Sequence, residues 1–594
     1  MRKTIPLNGF WRFLPELEPQ YHPGAEYAQP DWDRRHWEVV PVPGCWNLYA
    51  ERYRIYEGVA WFARSFALPE WSSDAIGVLR FGAINYAAEV FVNGQPAGEH
   101  TGGYTEFTLD VSHLLHAGEN TLAVRVDSRR HRILLPACLG WFNYGGIHRD
   151  VTLEVSHGGR LEWVGVDGAP LAGGADGQIR LRVMARDDRP LRAALLLRDP
   201  TGRDIWRDET KVGGGSVREL DCPWRLPVAQ PWRPASPALY TLETALLDAT
   251  GAVLDRVATS FGIRRVWAEG AALLVNDEPV WLKGICYLGD HPAVGITYDE
   301  RIARADLDDM AELGVNAIRC HVPLHERMLA ECDRRGLLVW SEVPIYCLDP
   351  HESSGSAFSQ PAYRDLAANM LREMVQAAYN HPSVILWSLG NECKVAHPEA
   401  PAFFAGLAET IRGLDSTRLL SYASLYGTMG QVGELLDVIG VNEYWGWYDR
   451  VSAASGKDRP LLREVVEGAD GARTVGVAAL DLSRLEQELA AKSQTYRQPL
   501  LLTEFGADAV PGYRSTDRAL WSEDYQAYFL ERTYEVLRSA PNVCGAFPFL
   551  YQDYPDPSKH VTTYWAGLNL KGIVGYNRER KLAYAALREI YRYL

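Results

Sequence analysis

The second half of the chain alternates short apolar runs with amphipathic stretches of helical period. The amphipathic stretches include RADLDDMAELG from 304, YRDLAANMLREMVQAAYN from 363 and SEDYQAYFLERTYEVLRSA from 522. The eight apolar runs are PVWLKGICY, NAIRCHVP, LLVWSEVP, VILWSLGNE, RLLSYAS, DVIGVNEYW, LLLTEFG and VCGAFPFL. Because eight strands that alternate with helices are typical of a closed parallel sheet, residues 268–594 are predicted to form a (β/α)₈ TIM barrel.

The first half of the chain has the two-residue alternation of β-strands. Its strand-like segments are separated by turn sequences such as Asn93-Gly94 and Gly102-Gly103, and Asn-Gly between alternating strands is a strong hairpin signal. A stretch rich in Gly and Ala, 167–178, interrupts the pattern. We therefore predict a β-sandwich over 1–165 and a smaller immunoglobulin-like β-sandwich over 166–267.

Composition and charge exclude several classes of protein. The 594 residues are 47% hydrophobic and 23% charged, with a formal net charge of −15, which argues against nucleic acid as a partner. No run of about 18 apolar residues predicts a membrane span. The nine Cys form no CxxC pair, so a reducing, cytoplasmic location is expected. No metal-ligand cluster and no glycine-rich nucleotide motif is evident, so no metal or organic cofactor is expected.

Two of the predicted barrel strands end in a glutamate. Glu392 ends the fourth apolar run and Glu504 ends the seventh. In TIM barrels the chemistry takes place at the carboxyl ends of the strands, and two carboxylates there suit glycoside hydrolysis. One acid protonates the leaving oxygen, and the other attacks the anomeric carbon. The alternative is that each Glu forms an ion pair with an arginine in the barrel.

Several motifs along nearly the whole chain resemble those of glycoside hydrolase family 2, which includes β-galactosidases, β-mannosidases and β-glucuronidases. LNGFWRF at 7–13, VFVNGQPAGEHTGGYTEFTLDV at 90–111 and FNYGGIHRDV at 142–151 resemble its N-terminal jelly-roll domain. FGIRRV at 261–266 resembles the end of its immunoglobulin-like domain, and WSLGNE and LLLTEFG resemble its acid/base and nucleophile motifs. The resemblance implies a multidomain fold of jelly-roll sandwich, immunoglobulin-like sandwich and TIM barrel.

The resemblance also implies roles for individual residues. Glu392 is expected to be the general acid/base and Glu504 the nucleophile of a retaining mechanism. Asn391 is expected to bind the sugar 2-OH, and Tyr444 to hold the nucleophile. Trp445, Arg319 and His321 are expected to face the barrel mouth. The alternative for Tyr444 and Trp445 is an aromatic cluster that closes the barrel top, and for His321 it is a packing role.

The segment GLNLKGIVGYNRERK resembles the Asn-x-Lys pair with which β-glucuronidases of the family recognise the substrate carboxylate. Asn569 and Lys571 would bind the C6 carboxylate of a uronic acid through charge-assisted hydrogen bonds. A neutral hexose is expected to leave Lys571 unpaired in an enclosed pocket. The expected substrate is therefore a small-molecule or oligosaccharide β-uronide, and the expected activity is that of a β-glucuronidase. The alternative is an ordinary surface loop.

One departure from the family pattern concerns the choice of sugar. β-Glucuronidases usually carry an Asp shortly before Phe-Asn-Tyr, where it contacts the sugar 4-OH, but this chain has Leu139, Gly140 and Trp141. A β-galacturonidase with the same carboxylate contacts is therefore a rival. A neutral-sugar β-galactosidase type and a non-catalytic carbohydrate-binding protein are further alternatives. Family members are often oligomers, so a homo-oligomer is expected.

Overall fold

A computed structural model describes most of the chain. The described residues are 2–17, 24–130, 134–136, 140–348, 356–425, 429–455, 463–467, 473–477, 480–559 and 567–594, and the side chains of 452–479 are excluded. Leu139, one of the residues at the departure from the family pattern, lies outside them, as do 456–462, 468–472 and 478–479. Within these ranges the chain forms two β-sandwich units followed by a closed barrel.

The first unit pairs a four-stranded with a six-stranded antiparallel sheet. The four-stranded sheet is ordered Lys3–Pro6, Val151–His157, Ala75–Phe81, Phe107–Asp110. The six-stranded sheet is ordered Glu38–Val42, Gly9–Pro15, Val59–Leu68, Gly118–Asp127, Ala87–Val92, Gln95–Thr101. Ile84–Asn85 and Gly146–Ile147 form a short pair. The predicted hairpin at Asn93-Gly94 is confirmed, because both residues have positive φ, 52° and 79°, between the last two strands.

The second unit has two four-stranded sheets. One contains Gly159–Val166, Gly174–Ala185, Ala169–Leu171 and Val217–Leu226, and the other is ordered Asp204–Val212, Leu191–Arg198, Tyr240–Leu247, Val253–Phe261. Gly159–Val166 lies in the predicted first range but pairs with Gly174–Ala185. The ranges 1–165, 166–267 and 268–594 stay predictions, and we propose that the first boundary lies near Gly158.

The barrel is closed by eight parallel strands, each of which overlaps one of the eight predicted apolar runs. In order they are Leu282–Cys286, Ala317–Arg319, Leu338–Ser341, Val384–Asn391, Leu419–Leu425, Val438–Asn442, Leu500–Phe505 and Val543–Pro548. The fourth strand is buried at every position, which explains its unbroken apolar sequence, since parallel strands are covered on both faces. The TIM barrel prediction is confirmed.

Helices surround the barrel. They are Glu300–Leu313, Glu326–Arg335, Pro361–Ala378, Ala400–Leu414, Tyr448–Ser455, Ser483–Thr495, Glu523–Ser539 and Leu582–Arg592. The first begins where the Asp299 side chain accepts hydrogen bonds from the Arg301 and Ile302 backbone, and it ends at Gly314 with φ 83°, as helix termini require. The sequence analysis did not identify Ala400–Leu414, Tyr448–Ser455 or Leu582–Arg592.

The remaining secondary structure of the described residues consists of short elements. A three-stranded sheet, Val266–Glu269, Ala272–Val275 and Glu278–Pro279, leads into the barrel. Arg463–Glu467 pairs with Arg473–Val477, and Tyr554–Pro555 with Leu568–Asn569. The 3₁₀ segments are Gly24–Ala28, Trp46–Leu48, Glu51–Tyr53, Gly430–Leu435 and Pro557–Lys559. Among the described helices, none is both long and apolar enough to cross a membrane.

Arg264 joins the second sandwich to the barrel. Its buried guanidinium donates hydrogen bonds to the Pro382 and Val384 carbonyl oxygens, both at 2.8 Å, where the fourth barrel strand begins. The Val384 carbonyl also accepts from Arg418 Nε at 3.0 Å, and leaving a buried polar group without its hydrogen bond is costly. Arg264 therefore helps to fix the strand that ends at Glu392.

Replacing Arg264 should destabilise the chain. We expect Arg264→Ala to lose about 2–4 kcal/mol of stability, because two buried charge-assisted hydrogen bonds are removed. The measurement is the thermal unfolding midpoint. Arg265→Ala is the control, since this exposed side chain lies 4.3 Å from the Trp267 ring centroid and its loss should cost about 1 kcal/mol or less. Equal shifts in the two variants would contradict the role of Arg264.

Candidate active site

The carboxyl ends of the barrel strands bring three glutamates to one rim. Glu392 follows the fourth strand, Glu504 lies near the end of the seventh, and Glu342 follows the third. The strand register places Asn442 directly beside Glu504. Because neighbouring parallel strands end at the same edge of a barrel, residues far apart in sequence meet here.

Glu392 has an unusual backbone conformation. Its φ is 52°, in the left-handed region. This conformation is costly for residues other than glycine, and residues that adopt it cluster at active sites. Its amide donates to the Ala423 carbonyl at 2.8 Å. Its half-buried side chain accepts a hydrogen bond from Asn442 Nδ2 at 2.6 Å, and the Cys347 thiol lies 4.0 Å away.

Glu504 is held by side chains from two other strands. Arg319 Nη1 donates to Glu504 Oε1 at 2.7 Å, and the Tyr444 hydroxyl donates to Oε2 at 2.8 Å. His321 Nε2 lies 3.3 Å from Oε1. Burial and the neighbouring Glu504 raise the pKa of Tyr444 well above its ordinary value, so its hydroxyl keeps the proton that it donates. Tyr444, expected to hold the nucleophile, thus contacts Glu504, and so do Arg319 and His321, which were expected to face the mouth.

Arg319 is a fully buried cation that also contacts Glu342. Its Nη2 lies 3.4 Å from Glu342 Oε2, and its Nη1 also donates to the Thr503 carbonyl at 3.1 Å. Burial by itself lowers the pKa of Arg319, but Glu342 and Glu504 outweigh it and raise the pKa above its ordinary value. Arg319 therefore remains charged between the two carboxylates.

Glu342 is bound on both oxygens. His321 Nδ1 lies 2.9 Å from Oε1, and Ser388 Oγ donates to Oε2 at 2.6 Å. Burial raises the pKa of Glu342, but the charge of Arg319 and the His321 hydrogen bond outweigh burial and lower the pKa. Glu342 thus fixes the orientation of the two side chains that contact Glu504.

A continuous set of hydrogen bonds joins the two candidate catalytic glutamates. Asn391 Oδ1 accepts from Arg319 Nη2 at 2.6 Å and from Asn442 Nδ2 at 3.1 Å, and the same Asn442 nitrogen binds Glu392. Asn391 Nδ2 is buried and has no hydrogen-bond partner among the described residues. A buried donor of this kind is usually satisfied by something else, so Asn391 has a donor available for a ligand.

Aromatic side chains from the first domain and from the barrel line the rim. Trp141, from the first domain, stacks on the His321 ring with centroids 6.2 Å apart and planes 6° apart. Tyr346 and Phe549 lie 6.1 and 5.9 Å from the same ring. Next to Trp141, a Cβ built on Gly140 would lie 3.3 Å from the Tyr346 hydroxyl. The space that an acidic side chain at position 140 would enter is therefore bordered by a phenol.

Lys571 is buried beside this group. Its Nζ donates to Asp508 Oδ2 at 2.6 Å and lies 5.9 Å from the Tyr444 ring centroid. Burial lowers the pKa of Lys571, but Asp508 outweighs it, and the pKa lies above its ordinary value. The expectation that Lys571 is unpaired without a uronate is therefore wrong, because Asp508 already forms an ion pair with it.

The other residue of the pair, Asn569, lies against the same loop. Its Oδ1 accepts from the Lys571 backbone amide at 3.2 Å, and its Nδ2 donates to the Tyr554 hydroxyl at 3.1 Å. Asn569 thus lies beside Lys571. The Trp445 ring, in contrast, lies against the helix Ser483–Thr495. The Arg484 guanidinium, on the helix Ser483–Thr495, lies 5.4 Å from the Trp445 ring centroid.

The sequence analysis missed four residues of this network: Glu342, Asn442, Asp508 and Tyr346. Glu342 carries the same signal as the two chosen acids, because LLVWSEVP is also an apolar run that ends in a glutamate. Asn442 ends the sixth run and could have been found by the same rule. Nothing in the sequence pairs Asp508 with Lys571, or Tyr346 with Gly140.

Models of known protein families match nearly the whole chain. The family models described as glycosyl hydrolases family 2 match residues 5–156 as the sugar binding domain, 171–264, and 266–594 as the TIM barrel domain. The last of these alone covers more than half of the chain.

Known proteins resemble the chain over its full length. A beta-glucuronidase from Paenibacillus borealis is 27% identical over 618 residues, which cover 99% of this chain and 96% of that protein. The crystal structure of a GH2 beta-galacturonidase from Eisenbergiella tayi bound to galacturonate is 27% identical, with a TM-score of 0.84 and coverage of 100% and 98%. A beta-D-glucuronidase from Dictyoglomus thermophilum is 26% identical, with a TM-score of 0.82 and coverage of 100% and 97%.

The predicted fold class of jelly-roll sandwich, immunoglobulin-like sandwich and TIM barrel is thereby confirmed. Three consecutive family models match in order, and the barrel rim carries the two candidate catalytic glutamates. The chain therefore belongs to glycosyl hydrolases family 2 and is a glycoside hydrolase.

Proposed function

We propose that this glycoside hydrolase is a retaining exo-β-uronidase that hydrolyses terminal β-D-glucuronides through a covalent glycosyl-enzyme. The observation that carries the proposal is the position of Lys571. Its buried cation lies 5.9 Å from the ring of Tyr444, and the hydroxyl of Tyr444 binds Glu504. A sugar whose anomeric carbon meets Glu504 can therefore present a C6 carboxylate to a fixed positive charge.

In the proposed reaction Glu504 and Glu392 divide the chemistry. Glu504 attacks the anomeric carbon while protonated Glu392 gives its proton to the leaving oxygen, and a glycosyl ester forms on Glu504. Glu392, now ionised, then takes a proton from the water that breaks the ester. Arg319 and Tyr444 hold the attacking carboxylate, so little reorientation is needed at the moment of attack.

The open donor of Asn391 supports contact with the sugar 2-OH. Its amide oxygen is fixed by Arg319 and Asn442, so the unpartnered Nδ2 has one preferred direction. A hydrogen bond from this donor can strengthen as charge develops on the ring. Since the donor is already desolvated, a substrate hydroxyl that meets it removes an existing cost.

The Lys571–Asp508 ion pair is compatible with binding of a carboxylate. An ammonium group has three donors, and the bond to Asp508 uses one of them. Because Asp508 keeps Lys571 protonated in a buried position, the cation is present before substrate arrives. Asn569 lies beside it to supply an amide.

A β-galacturonidase is the second candidate, and Gly140 favours it. Glucuronate and galacturonate differ only in the direction of the C4 hydroxyl. Here Gly140 brings no acid to the rim, and the Tyr346 hydroxyl borders that position. The Eisenbergiella tayi relative is a beta-galacturonidase. The cytoplasmic location and the homo-oligomeric state stay predictions.

The roles of the two glutamates can be separated by the leaving group. Glu504→Ala should lower kcat by roughly 10⁴-fold or more on every aryl uronide, because no nucleophile remains. Glu392→Ala should lower kcat/KM by roughly 10²–10⁴-fold on phenyl uronides but much less when the leaving group is 4-nitrophenol, which departs without a proton. With azide and 4-nitrophenyl substrates, Glu392→Ala should give the β-glycosyl azide, because azide attacks the glycosyl ester on Glu504, whereas any azide product of Glu504→Ala should be the α-glycosyl azide, because azide then replaces the nucleophile. The opposite pattern would reverse the two assignments.

The choice of substrate is tested with four aryl β-glycosides: glucuronide, galacturonide, glucoside and galactoside. We expect kcat/KM to favour a uronide by about 10²-fold. Lys571→Met should lower uronide turnover by about 10–100-fold while neutral glycosides change little. The double variant Lys571→Met/Asp508→Asn controls for the unpaired carboxylate. A wild-type preference for a neutral sugar would overturn the proposal.

The Tyr346 hydroxyl should influence the choice at C4. Tyr346→Phe is expected to change the ratio of glucuronide to galacturonide kcat/KM by about tenfold, the value of one hydrogen bond. Tyr56→Phe is the control, because that hydroxyl donates to the Val59 carbonyl at 2.8 Å within the first sandwich. An unchanged ratio in Tyr346→Phe would remove Tyr346 from the determinants of specificity.

A further inference from the structure

The segment GLNLKGIVGYNRERK, which carries Lys571, ends in a second lysine, Lys581. Lys581 immediately precedes the last helix, Leu582–Arg592, and its side chain is fully buried. Its backbone amide donates to the Ile573 carbonyl at 3.1 Å. Although the two lysines are well apart in sequence, Lys581 therefore lies against the loop that presents Lys571.

The ammonium group of Lys581 binds three different segments of the chain. It donates to the Ala509 carbonyl at 2.9 Å, to the Leu570 carbonyl at 2.9 Å and to Asp553 Oδ1 at 2.8 Å. Ala509 follows the seventh barrel strand, Asp553 follows the eighth, and Leu570 lies between the eighth strand and the last helix. Since an ammonium group has three donors, all of the hydrogen-bonding capacity of Lys581 is used to join these segments.

Each partner of Lys581 is next in sequence to a side chain around the proposed carboxylate site. The three neighbouring pairs, with the partner of Lys581 first, are Ala509 and Asp508, Leu570 and Lys571, and Asp553 and Tyr554. Asp508 pairs with Lys571 at 2.6 Å, and the Tyr554 hydroxyl accepts from Asn569 Nδ2 at 3.1 Å. Lys581 thus holds the backbone from which these side chains extend.

Asp553 holds the same loop from its other side. Its Oδ1 accepts from the Gly572 amide at 2.9 Å as well as from Lys581. A Cβ built on Gly572 would lie 2.2 Å from the Asp553 amide nitrogen, so the two backbones approach each other as only a glycine allows. Gln526 Nε2 donates to the Lys571 and Gly572 carbonyl oxygens at 3.1 and 3.0 Å. The backbone of Lys571 therefore has little freedom to move.

Two ion pairs lie next to each other in this buried group, Lys571–Asp508 and Lys581–Asp553. Burial raises the pKa of Asp553 to about 7, the charge of Lys581 opposes this rise, and the charge of Asp508 adds to it. Without Lys581, the pKa of Asp553 would rise further, because no cation would offset its burial. A loss of Lys581 would therefore leave Asp553 protonated.

We propose that Lys581 is a positioning residue for uronate binding, which sets Asn569 and Lys571 at the separation that one carboxylate requires. This inference rests on the proposed uronidase function. Two donors bind one carboxylate well only when both lie in the right place, and small displacements of a positioning group can cost about 10²-fold in rate. A neutral sugar has no carboxylate at C6, so it depends less on this loop.

The inference is tested with Lys581→Met on the same four aryl glycosides, because Met keeps much of the side-chain length and removes all three donors. We expect uronide kcat/KM to fall by about 10–100-fold and neutral glycosides to stay within about threefold. The double variant Lys581→Met/Asp553→Asn should behave like the single variant, because Asp553 is uncharged in both. If the double variant regains the uronide activity, an unpaired Asp553 carboxylate causes the loss, and the positioning role is refuted.

A double-mutant cycle measures whether Lys581 acts through Lys571. In a Lys571→Met background, adding Lys581→Met should lower uronide kcat/KM by less than about threefold, because the contact that Lys581 positions is already gone. Losses that simply multiply would show that the two lysines act independently, and they would contradict the proposal.

Arg418→Met is the matched control, because Arg418 is a buried cation at the opposite end of the barrel. It donates to the Val384 and His381 carbonyl oxygens at 3.0 and 2.9 Å and pairs with Asp415 at 2.9 Å. Arg418→Met should lower the thermal unfolding midpoint, as Lys581→Met should, but it should leave the ratio of uronide to neutral kcat/KM unchanged.

The outcomes separate this inference from the proposed function. If the wild type prefers uronides and Lys581→Met keeps the same ratio of uronide to neutral kcat/KM, the positioning role is refuted while the proposed function stands. An equal loss on all four substrates would also refute it, because Lys581 would then serve the fold alone. If the wild type prefers neutral sugars, the proposed function fails, and this inference fails with it.

Discussion

The buried charge of Arg319 is the constraint on which the rim of the barrel depends. Its guanidinium contacts Glu504, Glu342, Asn391 and the Thr503 carbonyl from a position with no exposed side-chain surface. A buried ion must be matched by partners, and removing one of them costs about 3–5 kcal/mol. The residues around Arg319 therefore have little freedom. Because one of them is the candidate nucleophile and another precedes the candidate acid, matching this cation also sets the relation between the two carboxylates.

The barrel alone does not complete the site. Trp141 comes from the first domain and stacks on His321, which contacts both Glu342 and Glu504. Arg149 of the same domain donates to the Pro323 carbonyl, just after His321. The second sandwich supports the other side through Arg264 at the start of the fourth strand. The contacts between domains thus act on the strands that end in the reacting groups, and they link stability to the geometry of the rim.

Much of the fold followed from periodicity, because buried parallel strands must be apolar on both faces and their ends must carry the polar residues of the mouth. This reasoning found all eight barrel strands and both Glu392 and Glu504. It did not find the Lys571–Asp508 pair, since 63 residues separate the partners and no periodic pattern relates them. Tyr346 was missed for the same reason: its meeting with Gly140 depends on how the first domain lies on the barrel. Local patterns predict elements, whereas pairings between loops require the tertiary structure.

Gly140 and Trp141 have a consequence for how such an enzyme can diversify. Both belong to a domain without any of the candidate catalytic carboxylates, yet they border the opening in which the sugar is proposed to lie. Mutations in that domain can therefore change substrate choice while the reacting groups and their buried network stay intact. Gene fusion or exchange of the first domain would likewise transplant a selectivity element together with a structural one. The barrel thus carries the candidate catalytic glutamates, whereas part of the border of the proposed sugar position comes from a separate domain.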